Sequence, residues 1–96
     1  MKIIEGYPPN ISDIRNVLGE HPGTIYCYGD TIFNPSGKEI PPDVMLHEHI
    51  HQNQQKEFIS PDFLWWQKYL GDKDFRQEQE VEAYAFQYQF IQKHFP

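Results

Sequence analysis

The segment His47-Glu48-His49-Ile50-His51 has the pattern H-E-x-x-H, with two histidines four positions apart and a glutamate directly after the first. In an α-helix of about 3.6 residues per turn, positions i and i+4 lie on one face, so both imidazoles can reach one metal ion. Glu48 then lies beside that face, where it can take a proton from a metal-bound water without binding the metal. His49 points away from the metal by the same periodicity. The motif therefore predicts a helix with a zinc site on one face.

A catalytic zinc site needs a third protein ligand and an open coordination position. A later helical segment offers three glutamates, Glu78, Glu80 and Glu82, which point in different directions around the helix axis. The apolar residues of this segment recur at helical spacing and are expected to face the core: Val81, Tyr84, Tyr88 and Ile91. That phase puts Glu80 at the edge of the core and Glu82 in solvent. Glu78 stays an alternative ligand if the helix starts in another phase.

At 96 residues the chain has room for one domain, over residues 1–96, and a small hydrophobic core, so a bound metal would help to stabilise it. The composition is globular, with 39% hydrophobic and 16% aromatic residues. Large rings are the expected core material: Phe63, Trp65, Trp66, Phe86 and Phe90. Of the two adjacent tryptophans, Trp66 is expected in the core and Trp65 is the more exposed.

The charge and the cysteine count restrict the partners and the compartment. A net charge of −6 would repel a polyanion, so we expect no nucleic-acid partner. Cys27 is the single cysteine and cannot form an internal disulfide, and the N-terminal residues lack the apolar run of a secretory signal. We therefore expect a cytoplasmic protein. No membrane span is expected either, because the sequence has no apolar run of about 18 residues.

Turn formers and alternating patterns dominate up to Pro42, and helical periodicity dominates afterwards. Asn10 is expected to cap a helix that ends at Leu18, before Gly19. Three short strands follow the His21-Pro22-Gly23 turn, with Gly29-Asp30 as a hairpin connection between the first two. Their expected ranges are Thr24–Tyr28, Thr31–Asn34 and Lys38–Ile40, and they should form a small antiparallel meander.

Three helices are expected in the second half of the chain. The motif helix should run from Pro42 to Lys56, because proline is tolerated in a first helical turn. Ser60-Pro61 is a second start signal, for a helix that ends at Gly71. Asp74 and Gln77 resemble a capping box that opens the long glutamate helix. The fold class is therefore α+β, with a meander packed on the motif helix and the glutamate helix.

His47-Glu48-x-x-His51 followed by Glu80-x-Glu82-Ala83-Tyr84 resembles the gluzincin class of zinc peptidases. In that class the third ligand is a glutamate on a second helix, commonly within the pattern E-x-E-A-D. In layout the chain is most similar to the minigluzincins, short single domains with a small sheet, an active-site helix and a glutamate helix. The resemblance implies that Glu80 is the third ligand. Tyr84 departs from the pattern, because many members carry there an acidic residue that orients a zinc-bound histidine.

The resemblance implies a zinc-dependent endopeptidase, in which a zinc-bound water activated by Glu48 attacks the peptide bond. A peptide or protein substrate would lie extended across the cleft and pair with an edge strand, either Thr24–Tyr28 or Thr31–Asn34. Candidates for stabilising the oxyanion or orienting a ligand are Tyr84, Tyr26 and Tyr28. The alternative is a zinc-stabilised binding or structural module that is catalytically inactive or latent.

Overall fold

The computed structural model describes residues 2–58 and 61–95, with the backbone alone at positions 61 and 62. These residues form β1 (Lys2–Ile4), α1 (Ile11–Leu18), β2 (Tyr26–Tyr28), β3 (Thr31–Phe33), α2 (Pro42–Gln55), α3 (Pro61–Gly71) and α4 (Lys73–His94). This arrangement confirms the expected α+β class.

The sheet is mixed, with the strand order β1-β3-β2. β2 and β3 form the expected antiparallel hairpin around Gly29-Asp30, with Cys27 opposite Ile32. The third strand is β1, which runs parallel to β3 with Ile3 opposite Ile32. Ile32 is fully buried at the centre of the sheet. The prediction of an all-antiparallel meander was therefore wrong.

Lys38–Ile40 forms no strand because the turn before it takes up the backbone groups of Lys38. The Asn34 side-chain amide donates to the Lys38 carbonyl at 2.6 Å, and the Lys38 N–H donates to Ser36 Oγ at 3.2 Å. The next residue after this segment, Pro41, has no N–H for a ladder. Meanwhile the Asn34 N–H donates to the Ile4 carbonyl at 2.8 Å, which extends the pairing of β1 with β3.

The helix boundaries lie close to the predicted ones, but the predicted capping hydrogen bonds differ from those in the structure. Asn10 precedes α1, but its side chain accepts no hydrogen bond from the helix. Gly19 ends α1 with a φ of +82°, in the left-handed region that favours glycine. α2 begins at Pro42 as expected and ends at Gln55, one residue before the expected Lys56.

The capping prediction for α4 was wrong by two residues. Asp72, and not Asp74, is the N-cap, and its carboxylate accepts the backbone N–H groups of Asp74 and Phe75 at 3.0 Å each. The helix therefore starts at Lys73, where Asp74 already lies in the first turn. For α3, the start at Pro61 is confirmed, whereas the expected cap, Ser60, lies outside the described residues.

A cluster of buried apolar residues, here called the aromatic cluster, forms the hydrophobic core: Ile14, Trp65, Trp66 and Tyr69. α3 contacts α1, α2 and α4, so it is covered on more than one side and both tryptophans are buried. The expectation that Trp65 is exposed was wrong, since only 1% of it is accessible. Phe63 and Phe86, expected in the core, are exposed, and Phe90 is half-buried.

The face that α4 turns toward α2 differs from the one its apolar periodicity predicts. Ala83 is fully buried there, whereas Val81, Tyr84 and Tyr88 are each 61% exposed. Polar residues flank Ala83 on the packed face at helical spacing: Gln79, Glu80 and Gln87. The apolar phase was therefore wrong, although Glu80 still faces inward. Each helix of the described residues is too short or too polar to cross a membrane.

Candidate metal centre

Three side chains from two helices converge on one point. Glu80 Oε1 on α4 lies 3.0 Å from His47 Nε2 and 3.1 Å from His51 Nε2, both on α2. The two Nε2 atoms are 3.1 Å apart. Both histidines are buried, and Glu80 is half-buried. The structure thus brings together the three predicted ligands, close enough to hold a metal ion.

The fold explains how these groups meet. The H-E-x-x-H segment is helical throughout, so His47 and His51 lie on one face, with ring centroids 4.8 Å apart. That face packs against α4, where Ala83 has the small side chain that allows close approach of the helices. Glu80 lies one turn before Ala83 on the same face.

Two glutamines orient the histidine rings. Gln87 Oε1 lies 2.9 Å from His47 Nδ1, and Gln54 Oε1 lies 2.8 Å from His51 Nδ1. Sequence reasoning missed both, because glutamines spread over helices read as surface residues. The available signal was spacing: Gln54 follows His51 by three positions, and Gln87 lies two turns after Glu80.

Tyr84 does not take the orienting role that its place in the motif suggested. Its ring packs edge-on against His47, with centroids 4.5 Å apart, while Gln87 faces the His47 Nδ1 atom. Tyr84 therefore contacts a candidate ligand through its ring. Its hydroxyl stays a candidate donor, because Tyr84 also lines the cavity beside the site.

Tyr69 is a further site residue that sequence reasoning missed. Its hydroxyl donates to Glu80 Oε2 at 2.5 Å, and it lines the same cavity. In the sequence Tyr69 follows Trp65 by four positions, which is the spacing of one helix face. Tyr69 contributes to both the aromatic cluster and the candidate metal centre, because its ring stacks on Trp65 while its hydroxyl reaches Glu80.

The site favours a positive charge at its centre. Burial alone would raise the pKa of Glu80, but hydrogen bonds from His47, His51 and Tyr69 outweigh it and lower that pKa well below its usual range. Burial alone would lower the pKa of His51, but its hydrogen bond to Glu80 and that carboxylate's charge raise it. An ionised Glu80 therefore stabilises a cation between the rings.

Glu48 is buried, with 6% of its surface exposed, and it lines the cavity together with the three ligands. Burial raises the pKa of its carboxyl to about 7, against the lowering effect of His51 and His47. A pKa near neutrality suits a group that accepts a proton and later returns it. Glu48 is therefore a buried carboxyl of near-neutral pKa in the cavity wall.

A cavity of about 390 Å³ opens beside the site. Its apolar walls come from α1, from the residue before β2 and from α3: Ile14, Leu18, Ile25, Trp65 and Trp66. Of the tyrosines named from the sequence, Tyr26 and Tyr84 line this cavity. Tyr26 and Tyr28 both pack against the aromatic cluster. Cys27 also lines it, but burial raises the pKa of its thiol to about 12, so Cys27 is a poor nucleophile.

The structure narrows the choice of a strand for peptide pairing. β3 is paired on both sides, so Thr31–Asn34 offers no free edge over its strand residues. β2 is an edge strand, but its Cys27 carbonyl already accepts hydrogen bonds from Gln55 Nε2 at 2.7 Å and Trp66 Nε1 at 2.9 Å. Pairing could therefore involve only the chain before Cys27, where Thr24, Ile25 and Tyr26 line the cavity.

The remaining polar candidates lie away from the centre. His49 and Glu78 are exposed, so neither joins the converging ligands. Glu82 is exposed as expected and accepts a hydrogen bond from Gln54 Nε2 at 3.1 Å. His21 is exposed and also lines the cavity, with its Nε2 facing the Leu18 carbonyl at 2.7 Å.

Comparisons with known proteins assign no family to the chain. No protein-family model, curated protein or solved structure gives a significant match. The similarity to the gluzincins therefore rests on the residues of the two motif helices.

Proposed function

We propose that this protein is a zinc-dependent endopeptidase with His47, His51 and Glu80 as the metal ligands and Glu48 as the general base. The observation that carries the proposal is the convergence of two Nε2 atoms and one carboxylate oxygen within 3.1 Å of one another. A cavity lies directly beside these atoms, with Glu48 in its wall.

The donor set suits zinc. Two imidazoles and one carboxylate make the three-ligand set of a catalytic zinc site, which leaves a fourth position for water or substrate. The ionised Glu80 and the two Nε2 atoms all face one point, as a divalent cation requires. Zinc bound there would polarise a carbonyl and lower the pKa of its water.

The residues of the chain supply the rest of the chemistry. Glu48 accepts the proton of the attacking water and delivers it to the leaving amine. The apolar cavity walls give a peptide side chain a place to bind. Tyr26 is a candidate donor to the developing oxyanion, because it carries a phenol and lines the cavity. Tyr84 and Tyr69 are the other phenols of the cavity.

The test combines two variants with zinc analysis and hydrolysis of a denatured protein substrate. Glu48→Gln should abolish hydrolysis and keep stoichiometric zinc, and Glu80→Ala should lose both. Glu78→Ala, on the same helix but exposed, is the control and should keep both. If Glu80→Ala keeps its zinc, or if Glu48→Gln still cleaves, the proposal is wrong.

One observation favours the alternative, a zinc-stabilised module that is inactive or latent. The Cys27 carbonyl, an acceptor on the outer strand of the sheet, is already occupied by Gln55 and Trp66. A substrate strand would therefore have less of the edge to pair with. An inactive module binds zinc and cleaves nothing, whereas a latent peptidase gains activity after limited trimming of its chain.

A further inference from the structure

We infer that Gln54 and Gln87 are the positioning residues of this site: they hold both histidines in the tautomer that carries its proton on Nδ1. Nε2 of each ring is then the nitrogen left to bind the metal. This inference deepens the proposed function and rests on the same three ligands. It assigns the orienting role to neutral amides.

The orientation of the Gln87 amide follows from its partners. Its Nε2 donates to Asp43 Oδ2 at 2.7 Å, and an ionised carboxylate can only accept. The amide oxygen must therefore be the atom that faces His47 Nδ1 at 2.9 Å. Because that oxygen also only accepts, His47 Nδ1 has to carry the proton.

Gln54 is held in the same way on the other ring. Its Nε2 donates to the Gln79 carbonyl at 3.0 Å and to Glu82 Oε1 at 3.1 Å, both acceptors on α4. Turning the amide around would place its oxygen against these two oxygens. Gln54 Oε1 therefore faces His51 Nδ1, which must donate at 2.8 Å.

The result is a symmetric arrangement around the ligands. On each side a glutamine Nε2 donates to an acidic residue, and the glutamine Oε1 accepts a hydrogen bond from a histidine Nδ1. A neutral ring with its proton on Nδ1 has its lone pair on Nε2, the atom that lies about 3 Å from Glu80. The negative charges of Asp43 and Glu82 stay one residue away from the rings, so the ligands gain less electron density than a directly bonded carboxylate would give.

Nitrogen NMR of the metal-free wild type at pH 8 tests the tautomers directly. We expect Nδ1 of both His47 and His51 to carry a proton. A ring with a bare Nδ1 would overturn the inference, even if the protein binds zinc. This measurement needs neither metal nor activity.

Zinc competition with a chelator tests the positioning role. Gln87→Leu and Gln54→Leu should each weaken zinc binding by about 10- to 100-fold. Gln89→Leu, at an exposed position of α4, is the control and should bind zinc like the wild type. Unchanged affinity in both test variants would overturn the inference.

A charge-swapped pair separates positioning from simple bracing of α2 against α4. Gln87→Glu alone places a carboxylate against Asp43 and should weaken zinc binding at least tenfold. Adding Asp43→Asn restores a donor to that carboxylate, which then accepts from both neighbours. The double variant should recover at least the zinc affinity of the wild type, and failure to recover with a native circular dichroism spectrum would contradict the role of Gln87. If tautomers and affinities are as expected but no protein is cleaved, only the endopeptidase proposal fails.

Discussion

Tyr69 and Glu80 share a hydrogen bond that divides the roles of the two carboxylate oxygens. The Tyr69 hydroxyl donates to Oε2 at 2.5 Å, while Oε1 faces both histidine Nε2 atoms. Glu80 therefore offers one oxygen to a metal, and the other is held by α3. The aromatic core and the candidate metal centre meet at this bond.

Removing that hydroxyl should weaken the site. Tyr69→Phe keeps the ring packed on Trp65 but frees Oε2, so we expect about tenfold weaker zinc binding. Zinc affinity measured by chelator competition checks this. Tyr88→Phe removes a hydroxyl from an exposed tyrosine and should not change the affinity. Equal affinities for both variants would show that the bond does not position Glu80.

The metal-free protein should lose stability as the pH rises from about 4.5 to about 7. The pKa of Glu48 is raised to about 7 in the folded chain, from 4.5. Between these values the unfolded chain releases the proton while the folded chain keeps it. The folded state is therefore destabilised progressively, by on the order of 3 kcal/mol in total.

Glu48→Gln isolates this effect, because the amide does not titrate. The free energy of unfolding of this variant should differ little from that of the wild type at pH 4.5. By pH 8 it should exceed the wild-type value by on the order of 3 kcal/mol. Urea unfolding of metal-free protein at the two pH values measures it. Exposed Glu78→Gln controls for the loss of one negative charge. A gain that does not depend on pH would contradict the raised pKa.

Gln55 ties the β2–β3 hairpin to α2 and should be needed for stability. It is fully buried, donates to the Cys27 carbonyl and accepts the Gly29 N–H, both at 2.7 Å. Gln55→Leu leaves the Gly29 N–H without this partner, at a cost of about 1–3 kcal/mol. Urea unfolding with exposed Gln92→Leu as the control tests it. If Gln55→Leu lowers the free energy of unfolding by less than about 0.5 kcal/mol, its effect is no larger than that of an ordinary surface substitution, and the prediction is wrong.

The outer face of α4 should tolerate polar substitution. Val81 is 61% exposed, so Val81→Ser should change the free energy of unfolding by less than about 0.5 kcal/mol. Trp65→Ala should cost about 3–5 kcal/mol, because Trp65 is buried in the aromatic cluster. Thermal unfolding of the two variants compares them. A large loss for Val81→Ser would mean that its apolar face is covered.

The local signals of the sequence were sufficient for the helices and for the pair His47 and His51, whereas Glu80 was predicted from the gluzincin resemblance and from an apolar phase that was wrong. His47 and His51 share a face through helical spacing alone, and prolines mark the starts of α2 and α3. The same periodicity separated His49 from the site, whereas Glu78 was excluded only by the structure, in which it is exposed and outside the converging ligands. Such features depend on a few neighbouring residues, so they can be read without the tertiary fold.

Features that depend on distant contacts were not predictable in this way. The prediction of which face of α4 is buried was wrong. Apolar periodicity assumes that the apolar face is buried, whereas α2 packs on the face with Ala83 and Glu80. The prediction that Trp65 is exposed was wrong because its burial depends on the three other helices that contact α3. The pairing of β1 with β3 joins strands with α1 and β2 between them in the chain, and a local pattern cannot show that.

The occupied carbonyl of Cys27 also bears on self-association. Sheets aggregate by adding strands to unpaired edges. On the β2 side, Gln55 and Trp66 already use the acceptor at the middle of the strand. On the opposite side, β1 has the exposed residues Ile3 and Ile4. Aggregation of this protein by strand addition would accordingly start on β1. A charged residue in place of Ile3 would be the first substitution to make against aggregation in solution.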